Sequence, residues 1–212
     1  MPARVSSRSR RTDIWPRAWR RHPLGAVVAL IIVAIVAWQR SSAPPRPAPG
    51  TDFDRYHNRT FTCIYVADGD TIDVDEPDGD KDKTRIRLWG VDTPETSKSP
   101  QGEMYFGPEA SDFTKAFVLD QQVRLVLDER DTRDRYNRLL AYVYVGDRML
   151  NEELIRTGYA YADTRFDHHW QSRFVQLEKT ARKSLSGLWR KVQPEQMPGW
   201  RQKLEPAFPL EP

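Results

Sequence analysis

Three short runs of this chain supply carboxylates and arginines between them: Asp68-Gly-Asp-Thr71, Arg87 through Asp92-Thr-Pro-Glu95, and Asp134-Arg-Tyr-Asn-Arg138. Hydrolysis of a phosphodiester requires this combination. An attacking water needs a base, the growing negative charge on the phosphate needs guanidinium donors, and carboxylates held close together need a hard cation. Asp70, Arg87, Asp92, Glu95 and Arg138 supply these parts. Pro94 fixes its own φ and biases Thr93 toward an extended shape, so the turn can direct the Thr93 carbonyl at a metal and hold Glu95 further out. Oxygen ligands without a nearby Cys or His favour Ca²⁺ or Mg²⁺ over zinc. Two arginines can share one phosphate through planar forked donors. Tyr136 offers a ring to a base or sugar and a hydroxyl to a phosphate.

The same spacing constrains the scaffold. Arg87 lies five residues before Asp92, a separation that puts the two on opposite faces of a regular strand, so a bend must intervene if both serve one site. Asp70 follows an Asp-Gly turn at the start of a strand, Asp92 follows the end of another, and Arg138 precedes a third. Alternating and Ile/Val/Tyr-rich runs predict strands at 61–67, 71–75, 84–91, 123–127 and 139–145, with helices at 108–119, 150–157 and 170–185. The expected fold class is α+β: a five-stranded OB-fold (Greek-key) β-barrel with about three α-helices, preceded by an N-terminal transmembrane helix.

That last element rests on Leu24 to Trp38, an unbroken run of apolar and small residues. Fifteen helical residues extend ~22 Å, short of the ~30 Å hydrocarbon core, so spanning draws on flanking residues with Trp19 and Trp38 at the interfaces. A cleaved signal peptide is the competing reading, which would make the protein secreted; the long basic stretch ahead of the run and Pro44 after Ser41-Ser-Ala43 favour an uncleaved anchor. Seven arginines precede the run, which puts the N-terminus in the cytoplasm and the domain outside. The expected layout is a basic tail (1–23), a membrane segment (24–40), a Pro-rich linker (41–54), a globular domain (55–191) and a Pro-rich tail without structure (192–212).

The chain has 212 residues and a net charge of +3, but the charge is unevenly placed. Residues 1–50 carry nine arginines against one acid, whereas residues 51–212 hold 24 basic and 29 acidic residues, a net of −5. Bulk charge therefore gives no support for nucleic-acid binding, and recognition of phosphate must be local. Cys63 is the one cysteine and reads as a buried thiol in a strand. Asp73, Asp75, Asp78, Asp80 and Asp82 miss the spacing of a calcium loop and read as a solvated turn. His168-His169 has no third ligand near it in sequence and reads as a surface or partly packed pair.

Seven fragments in order make the pattern recognisable: Val66 to Ile72, Arg87 to Thr96, Tyr105 to Ala110, Asp134 to Arg138, Leu140-Ala-Tyr142, Asn151-Glu152 and Gly187-Leu-Trp189. Together they resemble the staphylococcal nuclease (thermonuclease) family over roughly Phe61 to Trp189. The resemblance implies Ca²⁺ held by Asp70, Asp92 and the Thr93 carbonyl, with Glu95 activating or orienting water and Arg87 and Arg138 stabilising the transition state. It implies cleavage of DNA and RNA at the P–O5′ bond, leaving 3′-phosphates, with Arg135 and Tyr136 as substrate-binding residues. Three departures stand out: a longer hydrophilic stretch at 75–82, a loop at 96–101 with Lys98 as its one cation, and Thr164 at a position where the family carries tyrosine. A module that keeps the barrel and has lost catalysis, binding nucleic acid or protein, is the alternative. No protein partner is inferable.

Overall fold

The computed structural model describes residues 51–100 and 102–204. The expected membrane segment at 24–40 and the basic tail before it lie outside these residues. Among the described residues no helix is long and apolar enough to cross a membrane.

Five strands close on one another. β1 (Arg59–Asp68) pairs antiparallel with β2 (Thr71–Val74), and β2 with β3 (Thr84–Leu88). On its other edge β1 pairs with β5 (Gln122–Val126), which pairs with β6 (Leu139–Val145). The seam is a parallel pairing of β3 with β6, Ile86 beside Leu139 and Leu88 beside Ala141. Two register shifts in β1, around Ile64 and Ala67, let one ten-residue strand bend from one side of the barrel to the other. The expected OB-fold-like barrel is thus present, and sequence alternation explains it. In β3, Thr84, Ile86 and Leu88 face inward while Arg85 and Arg87 face out. Ile72, Val74, Ile86, Val123, Leu125, Leu139 and Val143 are fully buried in the interior.

The run expected as one strand over 84–91 is broken. After Leu88 the chain turns at Trp89-Gly90 and resumes as β4 (Val91–Asp92), which pairs with β8 (Tyr161–Ala162) away from the barrel sheet. Gly90 has φ +75°, and a Cβ there would lie 2.3 Å from the His168 ring, so the turn and the close packing both require glycine. This is the bend that the Arg87–Asp92 spacing demanded.

α2 (Gly107–Val118), α3 (Leu150–Arg156) and α4 (Gln171–Lys183) fall where periodicity places helices. A two-residue strand, β7 (Arg148–Met149), precedes α3. Two short helices escape that signal: α1 (Asp52–Tyr56), across the boundary between the stretches read as linker and domain, and α5 (Gly199–Leu204), inside the stretch read as an unstructured tail. The reading of residues from Gln193 as without structure is corrected. Pro194–Gln196 forms a 3₁₀ turn, Met197 and Val192 are buried, and they join Tyr161, Ala181, Leu188 and Trp189 in a second apolar cluster. Proline there terminates one turn and starts another, and anchoring comes from packing.

The reading of Cys63 holds, whereas Asp73 is buried in β2 instead of lying in a solvated turn and His168 is buried instead of lying at the surface. Cys63 is buried, and burial pushes its thiol up to about 11, which keeps it protonated. Asp73 pairs with Arg85 and Lys83, and Asp78 with Arg133, so these acids are neutralised by arginine and lysine. His168 is more buried than expected, packed against Trp89 and Phe174 and hydrogen-bonded to the Tyr142 hydroxyl at 3.1 Å.

Candidate active site

β2, β3 and the start of β6 lie side by side, so residues at their ends meet on one surface. Arg87 is the neighbour of Thr71 across one pairing and of Leu140 across the other. Asp70 immediately precedes β2, with its carbonyl accepting the Leu88 N–H at 2.9 Å. Arg138 immediately precedes β6. The surface is a cleft of about 970 Å³ lined by Asp70, Arg87, Asp92, Glu95, Arg135, Tyr136 and Arg138 among others. Thr93 instead lines a smaller cavity of about 260 Å³ that shares Asp92 and Glu95 with the cleft.

Arg87 sits between the two aspartates. Its Nη1 is ion-paired with Asp70, and its Nη2 donates to Asp92 Oδ1 at 2.7 Å. Asp70 is further held by the Thr93 N–H, donated to Oδ2 at 2.9 Å, and by the Thr71 hydroxyl on Oδ1 at 3.1 Å. Burial of this carboxylate is thus compensated by three groups from three segments.

Glu95 is positioned through its backbone. Its carbonyl accepts the Met104 N–H at 2.9 Å, and Gly107 at the start of α2 lies so close that a Cβ would come within 2.0 Å of that oxygen. Its side chain is half-buried. Burial raises the Glu95 pKa above the ordinary carboxylate value, with Asp68 and Asp92 adding to the rise and Arg87 opposing it. Asp68 is shifted up as well, chiefly by burial, with Arg87 and Arg138 pulling the other way.

The Asp134–Arg138 turn presents the remaining groups. Asp134 accepts the backbone N–H groups of Tyr136 (2.9 Å) and Arg138 (3.0 Å) and the Arg138 Nε (2.6 Å), while Asn137 takes φ +62°. That locks Arg138 toward the cleft, 3.5 Å from the Thr71 hydroxyl. Tyr136 stands at the rim, 62% exposed, with the Arg135 and Arg138 guanidinium carbons 4.7 and 5.4 Å from its ring centroid. Seven of the eight candidate residues therefore line one cleft, and the eighth, Thr93, touches it through Asp70.

Four further residues belong to this site. Asp68 lines the cleft, and its Oδ1 accepts the Asp70 N–H at 3.1 Å. The Asp-Gly-Asp repeat in the sequence is the signal for it. Arg165 and Phe166, which follow Thr164, line the cleft wall, whereas Tyr161 is fully buried and Tyr159 stacks on Phe113 at 4.6 Å. Arg165 pairs with Asp163 at 2.7 Å and approaches Asp92 Oδ1 at 3.4 Å. Trp200 donates its indole N–H to Asp92 Oδ2 at 2.7 Å. No sequence signal links Trp200 to Asp92, 108 residues apart.

The donor set suits a hard cation in part. Two carboxylates are brought together beside a buried threonine, and two more acids in the cleft, Asp68 and Glu95, have pKa values raised chiefly by burial. Among the described residues, however, no three His, Cys, Asp or Glu side chains group as a metal-holding cluster. A cation here would complete its shell with backbone oxygen and water, which Ca²⁺ accepts.

Comparison with known proteins agrees with this geometry. The family model described as "Staphylococcal nuclease homologue" matches residues 85–191. The chain is 40% identical over 164 residues to a thermonuclease of Staphylococcus hyicus, covering 77% of this chain and 93% of that one. It is 35% identical over 166 residues to a thermonuclease of Staphylococcus intermedius, covering 77% and 94%. Endonuclease YncB of Bacillus subtilis is 42% identical over 99 residues, 47% of this chain and 46% of its own.

Proposed function

The chain belongs to the staphylococcal nuclease family, and on that premise we propose that it is a Ca²⁺-dependent nuclease that hydrolyses DNA and RNA at the P–O5′ bond to leave 3′-phosphates. The observation that carries the reading is the convergence of Asp70, Arg87, Asp92, Glu95 and Arg138 on one cleft.

Asp70, Asp92 and Thr93 would hold Ca²⁺, whose chemistry there is to polarise the phosphate and counter its charge. Glu95, with its raised proton affinity, orients an attacking water and accepts its proton as the water oxygen bonds to phosphorus. Arg138 and Arg87 donate to the non-bridging oxygens as negative charge grows on them. The P–O5′ bond then breaks, O5′ takes up a proton from solvent water, and Glu95 returns its proton to solvent. Arg135 and Tyr136 at the rim receive the adjoining nucleotide. The domain is carried on the outer side of a membrane by residues 24–40, with residues 1–23 inside, or is secreted if that segment is cleaved.

A second reading rests on a specific observation. Arg87 spans Asp70 and Asp92 and is ion-paired with both, occupying the space between the two carboxylates. On that reading the barrel is an inactive module that binds nucleic acid or protein. One experiment separates the two. Full-length protein is incubated with single-stranded DNA in Ca²⁺ or in excess chelator; cleavage in Ca²⁺ alone supports the nuclease, and intact DNA in both supports the module.

A further inference from the structure

Asp92 is approached by a residue from outside the segment that matches the family. Trp200 lies beyond residue 191, and its indole N–H donates to Asp92 Oδ2 at 2.7 Å. The other oxygen, Oδ1, faces Arg87 Nη2 at 2.7 Å and through that arginine faces Asp70. The two oxygens are therefore differentiated: one is held by a neutral donor, and the other is aimed at the second carboxylate.

Trp200 is fixed from two sides. The Arg165 guanidinium stacks over its ring, 4.6 Å from the centroid. The next residue, Arg201, is buried and ion-paired with Glu178, whose Oε2 accepts the Ala162 N–H at 2.6 Å. Ala162 lies in β8, the strand that pairs with β4, where Asp92 sits. Helix α5 and the Asp92 strand are thus tied to the same support.

We propose that Trp200 is a positioning residue that orients Asp92 for Ca²⁺, so that the segment following residue 191 supplies a structural part of the metal site. This rests on the Ca²⁺ reading above. A neutral N–H on Oδ2 fixes carboxylate rotation without bringing a charge that competes with a cation. Donors to a ligating carboxylate commonly contribute 10- to 100-fold in metal affinity.

The test is isothermal titration calorimetry of Ca²⁺ into the full-length wild type, Trp200→Phe and Asp92→Asn, alongside thermal unfolding without Ca²⁺. Phenylalanine keeps an aromatic ring for Arg165 and removes the donor together with part of the indole's bulk, which the metal-free Tm monitors. The expected result is about tenfold weaker Ca²⁺ binding for Trp200→Phe, little change in its metal-free Tm, and loss of binding for Asp92→Asn. Unchanged affinity in Trp200→Phe overturns the proposal. Tighter affinity also overturns it and makes the indole a competitor of the cation. Retained binding in Asp92→Asn overturns it by placing the ion elsewhere. Absence of binding in the wild type overturns the Ca²⁺ reading and the proposal with it.

Discussion

Glu95 sits in an environment unlike that of an ordinary surface carboxylate. It is half-buried, held by its own backbone against α2, and flanked by other acids that raise its proton affinity. If it orients water and accepts a proton, Glu95→Gln should lower kcat by roughly 10²–10⁴-fold, while DNA binding measured by fluorescence anisotropy stays within about a factor of two to three. Equal losses in binding and turnover would assign Glu95 a structural role. Asp73 is the contrasting case. Burial alone would raise its pKa, but bonds from Arg85 and Lys83 outweigh it and hold the pKa below the ordinary value. A carboxylate depressed in the folded state stabilises fully above its unfolded pKa of ~3.9 and loses that contribution as pH falls through the lower folded value. Asp73→Asn should therefore cost roughly 1–2 kcal/mol at neutral pH, the low end because Arg85 and Lys83 are about half exposed. Urea titrations should show the gap to wild type constant at higher pH and closing below about pH 4.

At the scale of elements, the break between β3 and β4 decides whether Arg87 and Asp92 can meet. Gly90→Ala forces a side chain into left-handed backbone and onto the His168 ring. It should destabilise by about 1–3 kcal/mol, with nuclease activity falling further than the fraction unfolded, because the shift falls between two site residues. A drop in activity matching the unfolded fraction would show that the turn matters only for folding. The sequence reveals this bend indirectly, through an odd Arg87–Asp92 spacing that a straight strand cannot satisfy. Five barrel strands and three helices are legible because burial imposes periods of two and 3.6 on their residues. Helices α1 and α5 are too short for a period to register, and prolines beside α5 resemble a linker. Their order comes from distant partners: Asp52 is bonded to Arg133, and Arg201 is paired with Glu178. The five residues of the catalytic proposal are legible in their motifs. Arg165 and Trp200 are not, because folding alone brings them to Asp92.

Over the whole molecule the charge is divided, with basic residues at the N-terminus and a net −5 across residues 51–212. Long-range attraction to a polyanion is therefore weak, and capture depends on a few groups in the cleft. With about two arginines engaging phosphates, binding of single-stranded DNA should follow a log–log salt slope near −1.4 at fixed Ca²⁺. A slope beyond about −4 would reveal a wider basic surface. The parallel seam between β3 and β6 has a further consequence. It joins strands about fifty residues apart in sequence and sets Arg87 beside Leu140, two residues after Arg138. Such a contact has a high loop-closure entropy and forms late if local pairings come first. The two guanidinium groups are then in register only after the ring of strands has closed. On the proposed reading phosphate affinity would report barrel closure, and a bound nucleotide, by bridging both arginines, would act as a clasp that slows the barrel's opening.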